Sequence, residues 1–179
     1  MQLVIINIIR FVLLVFIQVF IVNNIDFWSL NYLISPMIYI SFLFTLPVNI
    51  NRFLTLAIAF ILGLSVDLFM DSYGVHASAC VLIAYLKPRF TNQMETQNTF
   101  QSTYNLSVHM VDSIQYIVYI SSLSAIFFFW LFLLEEFSFV RLHYILLKTI
   151  LSTIVSVIFI LVGQFLFFSN VLIQFVFLL

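Results

Sequence analysis

The chain has 179 residues, of which 64% are hydrophobic and 7% charged, and its formal net charge is −1. Because a soluble domain carries about 25% charged residues, this composition excludes a soluble protein and predicts a single integral membrane domain over residues 1–179. The near-neutral charge provides no basic field that would attract nucleic acid. The single cysteine, Cys80, excludes an intramolecular disulfide.

Six apolar segments follow one another along the chain, separated by turn-like or polar residues. The first four span 3–22, 32–46, 53–70 and 74–86, and the last two span 114–134 and 144–168. A helix needs about 20 residues to cross a bilayer core of about 30 Å, and the second and fourth segments are shorter than that. Four to six crossings fit this pattern, and we predict an all-α membrane bundle of about six transmembrane helices.

A proline lies within the second segment, and another follows the fourth. Pro36 either kinks the second segment or marks its first turn, and Pro47 ends it. The fourth segment ends at Lys87-Pro88-Arg89, unless it continues into the polar stretch 91–112, tilts as a half-span or lies in a thinned bilayer. We expect this polar stretch to be the only long loop.

Basic residues in the short loops predict the orientation. Arg52 precedes the third segment, and Lys87 and Arg89 follow the fourth. Since Lys and Arg in short loops mark the cytoplasmic side, these three form a predicted cytoplasmic face, and both termini are predicted to be cytoplasmic. The opposite side then carries Arg141, whose charge is offset by the carboxylates at 135–136.

A row of small and acidic residues crosses the third segment. Ala59, Gly63, Asp67 and Asp71 are spaced by four, so they share one helix face. Small residues at such spacing let a neighbouring helix approach closely, which places Asp67 on a packing face, while Asp71 continues the row at the external end. Two interpretations stay open: Asp67 is a buried polar node, or it is a carboxylate at headgroup level that water reaches.

The short turn after this row contains Gly74, whose backbone freedom permits a tight reversal. The reversal brings His76 back beside Asp67 or Asp71, and we expect a hydrogen bond there to close a membrane hairpin. A metal site would need further ligands, and the stretch has no metal-ligand spacing. Because nucleophile-elbow and phosphate-loop motifs are also missing from the sequence, we expect no catalytic residues, no metal and no cofactor.

Other polar residues within the apolar segments are predicted to serve packing or to reach a surface. Lys148 is expected to extend its ammonium outward to water. We expect Gln18 and Gln164 to make hydrogen bonds between helices. The serines at 121, 122, 124, 152 and 156 are expected to serve helix packing.

The stretch 63–89 resembles the most recognisable segment of the bacterial MreD family of rod shape-determining proteins. In that family the pattern is Gly-x-x-x-Asp, a short external turn with Gly, His followed by small residues, and an apolar run that ends at a basic-Pro pair. The matching residues here are Gly63, Asp67, Gly74, His76, Ala77 and Lys87-Pro88-Arg89, and the stretches 5–26, 132–139 and 146–153 also read like the family.

The resemblance implies a non-enzymatic scaffold of the cell-elongation machinery in the bacterial inner membrane. Its partners would be the lipid bilayer, an MreC-like membrane protein, the peptidoglycan glycosyltransferase and transpeptidase and, indirectly, an MreB-like filament, with self-association left open. The family fold is similar to the membrane substrate-binding subunit of energy-coupling vitamin transporters. The alternative function is therefore a small-molecule uptake component. In either case Asp67 and His76, with Gly63, Asp71 and Gly74, form the predicted partner-binding or structural polar node.

Overall fold

The computed structural model describes residues 2–22, 34–46, 50–95, 113–137 and 141–168. Within these ranges the chain is helical with no strand, which confirms the predicted all-α class. In chain order the helices are α1 (Gln2–Phe16, continued by a π-helical turn at Ile17–Ile21), α2 (Ser41–Thr45), α3 (Arg52–Met70), α4 (Val75–Glu95), α5 (Ser113–Glu136) and α6 (Leu142–Phe168).

Three of these helices, α3, α5 and α6, are long and apolar enough to cross a membrane. The chain is therefore a membrane-embedded helical protein. The apolar stretch of α1 with its π-turn, Asn7–Ile21, is shorter than a full span. Large apolar side chains such as Phe60, Ile61 and Leu68 of α3 point outward, as a surface in contact with lipid requires.

The second predicted crossing is not a membrane-spanning helix. Residues 34–38 have no regular secondary structure, and only the five residues of α2 are helical. Pro36 disfavours a helical conformation in the residue before it and has no N–H of its own. We name residues 34–46, with the short helix α2 among them, the irregular segment. Most of it is buried in the bundle, which is where irregular backbone is tolerated at membrane depth.

The fourth predicted segment is longer than its apolar run. Helix α4 passes through Pro88 and ends at Glu95, so the expectation that it stops at the basic-Pro cluster is wrong, as is a polar loop that starts at residue 91. Its continuation into the polar stretch is the alternative that the structure supports. At about 1.5 Å per residue, the 21 residues of α4 extend about 32 Å.

Helix α4 is the centre of the bundle, since it packs against α3 on one side and α5 on the other, and α5 also packs against α6. Aromatic side chains fill the core. Tyr39 of the irregular segment meets Phe127 edge to face at 6.1 Å, and Phe128 stacks on Phe132 at 5.6 Å. Since lipid is as apolar as this core, close packing and internal hydrogen bonds stabilise the arrangement more than the hydrophobic effect does.

Candidate functional site

The carboxylate of Asp67 caps the first turn of α4 from the neighbouring helix. Its Oδ1 accepts a hydrogen bond from the His76 backbone N–H at 3.0 Å, and its Oδ2 accepts one from the Ala77 N–H at 2.8 Å. The hydroxyl of Ser72 donates a third at 2.6 Å. A helix N-terminus has unpaired N–H groups and a positive dipole end, so a two-oxygen anion satisfies both at once. Asp67 is buried, at 5% exposure.

Gly63 allows α3 to approach α4 closely enough for Asp67 to cap it. It lies one turn before Asp67 on the same helix face, and it is buried against the start of α4. A methyl group on Gly63 would lie only 2.6 Å from both the backbone N of Ala77 and the carbonyl oxygen of His76. Helices α3 and α4 therefore touch backbone to backbone at this point, as the small-residue spacing predicts.

Three of the four residues in the turn 71–74 between α3 and α4 have a left-handed backbone conformation. Asp71 has a φ of 51°, Tyr73 of 45° and Gly74 of 87°. Asp71 ends α3 in the left-handed conformation, with its side chain exposed. Such a backbone is relaxed only for glycine and, less so, for Asn or Asp, so Tyr73 carries a conformational cost in a fully exposed position.

His76 contributes to the hairpin through its backbone, and its imidazole has a different partner. The ring Nδ1 lies 2.9 Å from the hydroxyl of Tyr39, whose ring is fully buried. The two rings also meet edge to face at 6.0 Å. Of the two predicted neighbours, Asp67 receives only the backbone N–H of His76. The imidazole thus ties the α3–α4 hairpin to the irregular segment 34–46.

The irregular segment is held on one side by the side-chain amide of Gln18. The Nε2 of Gln18 donates to the Pro36 carbonyl at 3.1 Å, and its Oε1 accepts from the Ile38 N–H at 2.7 Å. The side-chain amide thus makes the same two hydrogen bonds to this backbone that a neighbouring β-strand would make. Gln18 lies in the π-helical turn at the end of α1, a rare geometry that is frequent at functional sites.

On its other side, the segment is held by two serines of α6. The Ser35 N–H donates to the Ser152 Oγ at 3.1 Å, and the Met37 N–H donates to the Ser156 Oγ at 2.9 Å. Two residues of extended chain rise about 6.6 Å and four residues of helix rise about 6 Å, so alternate N–H groups meet every fourth helical residue. The sequence predicts only helix packing for these two serines, and their role as acceptors for the N–H groups of this segment is not predicted.

Of the three predicted cytoplasmic-face cations, Lys87 does not lie on a surface. Its side chain is buried, and its ammonium donates to the backbone carbonyls of Leu43 at 2.8 Å and Leu46 at 2.5 Å. These carbonyls belong to α2 and its C-cap, where a cation satisfies both the open acceptors and the negative dipole end. Arg52 and Arg89 are exposed, as predicted for a surface.

Lys148 also departs from its prediction, because it is 7% exposed instead of reaching water. Its ammonium pairs with the Glu135 carboxylate at 3.2 Å and lies 4.2 Å from the centre of the Phe132 ring. The ion pair fixes the end of α5 against the start of α6. Gln164 makes its predicted hydrogen bond as the acceptor, because the Tyr116 hydroxyl donates to its Oε1 at 2.7 Å.

A cavity of about 710 Å³ opens beside the hairpin turn. Asp71 and His76 line it from the hairpin, Gln18 and Met37 from α1 and the irregular segment, and Glu135 from the end of α5. Its volume lies in the range of small-molecule pockets, about 300–1,000 Å³. No group of three or more His, Cys, Asp or Glu side chains that could hold a metal ion occurs among the described residues.

Comparisons of the chain with protein-family models, with curated proteins and with solved structures found no match.

Proposed function

We propose that this protein is a non-enzymatic scaffold of the bacterial cell-elongation machinery, similar to the MreD family and resident in the inner membrane. The observation that carries the proposal is the α3–α4 hairpin. The residues that bear the family resemblance are also the ones that build it: Gly63 provides the close approach, Asp67 caps α4, and His76 joins the hairpin to the irregular segment. Because both oxygens of Asp67 accept hydrogen bonds inside the protein, a role in shaping a surface for partners is favoured over a chemical role.

The proposed partners are an MreC-like membrane protein, the glycosyltransferase and transpeptidase of cell elongation and, through them, an MreB-like filament. A helix bundle meets such partners inside the bilayer through outward-facing side chains. Helix α3 offers large ones in Phe60, Leu64 and Leu68. The hairpin fixes the rotation of α3 about its axis, and so it determines which of these side chains a partner meets.

The proposed orientation has both termini in the cytoplasm. Arg52 begins α3, and Arg89 lies near the end of the antiparallel α4. Both line one cavity and therefore lie at the same end of the hairpin, opposite the turn 71–74. Fusion of a reporter that is active only in the cytoplasm to residue 179 is expected to give signal. Signal from a periplasmic reporter alone would contradict the orientation.

Depletion in a rod-shaped host is the direct test of the function. Cells that lose the protein are expected to become round while nutrient uptake stays normal, and the tagged chain is expected to co-purify with an MreC-like protein in stoichiometric amount. Asp67→Leu is the informative variant, because an apolar residue inserts at least as easily but removes the α4 cap. It is expected to reach the membrane and to lose the partner. Normal cell shape after depletion would contradict the proposal.

The second candidate function, a small-molecule uptake component, is favoured by the cavity beside the turn. Its volume of about 710 Å³ and its mixture of Asp71, His76 and Glu135 with apolar walls suit a polar metabolite. A tightly bound small molecule in the purified protein, with a matching nutrient requirement after depletion, would favour this function over the scaffold. Glu135→Gln separates the two, since it removes the carboxylate charge from the cavity wall, keeps an acceptor oxygen for the buried Lys148 ammonium and leaves the α3–α4 contact intact.

A further inference from the structure

A second cavity, of about 550 Å³, lies at the end of the α3–α4 hairpin opposite the turn. The first turn of α3 forms one wall, and the part of α4 around Pro88 forms the other. Arg52, Lys87 and Arg89 all line this cavity, and none of the described residues that line it is an Asp or Glu. Three positive charges around one opening repel each other unless a negative charge offsets them. A bound anion would therefore be favourable in this cavity.

Compensation does not come from the described part of the protein. The ion pairs of Lys148 with Glu135 and of Arg141 with Glu136 lie at the other end of the bundle and include none of these three cations. The guanidinium of Arg89 lies 5.6 Å from the centre of the Tyr85 ring, and that contact leaves the N–H edge of a guanidinium able to donate. An ammonium has three donors, of which Lys87 uses two on the carbonyls of α2.

Part of the cavity wall is apolar, with Ile50, Phe53 and Leu56 at the start of α3. Phe53 is 82% exposed and Leu54 is 54% exposed, directly beside the exposed Arg52. A surface that combines unpaired guanidinium groups with bare aromatic and aliphatic side chains matches a molecule that is anionic at one end and apolar at the other. At a membrane surface that molecule is a phospholipid, and basic pockets between transmembrane helices on the cytoplasmic side bind anionic headgroups.

We propose that this cavity binds the phosphate group of an anionic phospholipid, with Arg52 and Arg89 as its ligands and the acyl chains along Phe53 and Leu56. Arginine suits the task because its planar fork of donors matches the oxygens of a phosphate. A zwitterionic lipid is a poorer ligand, since its own cation would face the two guanidinium groups. The site is independent of the proposed scaffold function and of the cavity beside the turn.

The test measures lipid retention by native mass spectrometry of the purified, detergent-solubilised full chain. Dioleoyl phosphatidylglycerol and dioleoyl phosphatidylcholine are titrated in parallel against the wild type, the double variant R52Q/R89Q and the control R141Q. The control removes one arginine at the opposite end of the bundle, where the Arg141 side chain is 68% exposed. Because a basic residue near a membrane surface contributes about fivefold to anionic-lipid affinity, the double variant is expected to bind phosphatidylglycerol about 25-fold more weakly, while R141Q matches the wild type.

Several results would overturn the proposal. One is equal retention of the two lipids by the wild type, and another is an equal loss in R141Q and R52Q/R89Q. Glycerol 3-phosphate, added without lipid, distinguishes a free phosphate ester from a lipid: competition at the affinity of phosphatidylglycerol would assign the cavity to a soluble ligand. Full lipid retention by R52Q/R89Q, with loss of a co-purifying acidic protein, would assign it to a protein partner. Arg52 and Arg89 are exposed, so the variants fold, and a wild-type circular dichroism spectrum checks this.

Discussion

Two charged side chains meet helix ends inside the bundle, and they do so with opposite signs. The Asp67 carboxylate accepts the N–H groups at the start of α4, and the Lys87 ammonium donates to carbonyls at the end of α2. Both charges replace water at backbone groups that lipid cannot satisfy. They differ in distance along the chain, since the partners of Asp67 are five to ten residues away and those of Lys87 are 41 and 44 residues away.

This difference shows which contacts of the protein depend on residues that are close in sequence and which depend on residues far apart. The Asp67 cap forms as soon as α3 and α4 pack as a hairpin, and it stabilises an arrangement of two neighbouring helices. The Lys87 cap forms only when the irregular segment 34–46 has entered the bundle. The same electrostatic principle therefore stabilises a local hairpin at the start of α4 and a long-range contact at the end of α2.

The largest expected effect is that of Lys87→Met, which tests the tertiary cap. Methionine fills similar volume but cannot donate, so the Leu43 and Leu46 carbonyls lose their buried partner. Unsatisfied buried acceptors cost about 1–3 kcal/mol each, and we expect the free energy of unfolding in mixed detergent micelles to fall by about 3 kcal/mol. Arg89→Gln, two residues away and exposed, is the control and should change it little. Equal effects of the two substitutions would mean that the Lys87 cap contributes nothing specific.

Gly63→Ala tests the close approach on which the Asp67 cap depends. The added methyl group would overlap the backbone of His76 and Ala77, and overpacking of this kind costs about 1–3 kcal/mol, so we expect a loss near 2 kcal/mol. Gly163→Ala is the matched control, because a methyl group there meets nothing within 4 Å. As Ala is the better helix former by about 1 kcal/mol, the control should be neutral or stabilising. A tolerated Gly63→Ala would show that the helices can separate without cost.

Asp67→Asn tests whether the cap needs both oxygens. Asparagine has one acceptor oxygen, and its NH₂ group would face a backbone N–H, so one hydrogen bond and the charge at the helix end are lost. We expect about 1 kcal/mol of destabilisation. His76→Ala keeps its backbone N–H, and the double variant should therefore be additive within about 0.5 kcal/mol. Strong non-additivity would mean that the carboxylate and the imidazole interact directly, contrary to the geometry.

Asp71→Asn tests a third charge at a helix end. The negative charge of Asp71 lies at the C-terminal end of α3, where a positive charge would be favourable. The exposed Asp71 carboxylate ends α3 at φ 51°, where the helix dipole is negative. Asparagine tolerates this conformation and removes the repulsion, so we expect a gain of about 0.5 kcal/mol. The same micelle unfolding measurement checks it. A stabilised Asp71→Asn protein that fails to support rod shape would indicate that Asp71 is retained for a partner and not for the fold; a destabilised one would contradict the electrostatic argument.

The sequence sufficed for features whose parts lie within about ten residues of each other. The four-residue spacing of Gly63 and Asp67 with Gly74 in a short turn predicts a close hairpin, and the helices are found there. It did not suffice for Lys87, because a lysine beside a proline after an apolar run is equally expected on a membrane surface. The irregular segment was also missed, although its short length and Pro36 were signals. Its N–H groups meet Ser152 and Ser156, 117 and 119 residues later, a relation that no local spacing reveals.

That last relation constrains how the protein is made. Residues 34–38 leave the ribosome long before α6 exists, so the hydroxyls that accept their N–H groups reach the membrane much later. During this interval the segment must remain near water or be sheltered by the insertion machinery. Accessibility of a cysteine placed at Met37, compared between ribosome-arrested chains that stop before Ser152 and after α6, would follow the change. The hydrogen bonds of residues 34–38 are thus completed by α6, the last of the described helices, and a chain truncated within α6 would be inserted yet unfinished.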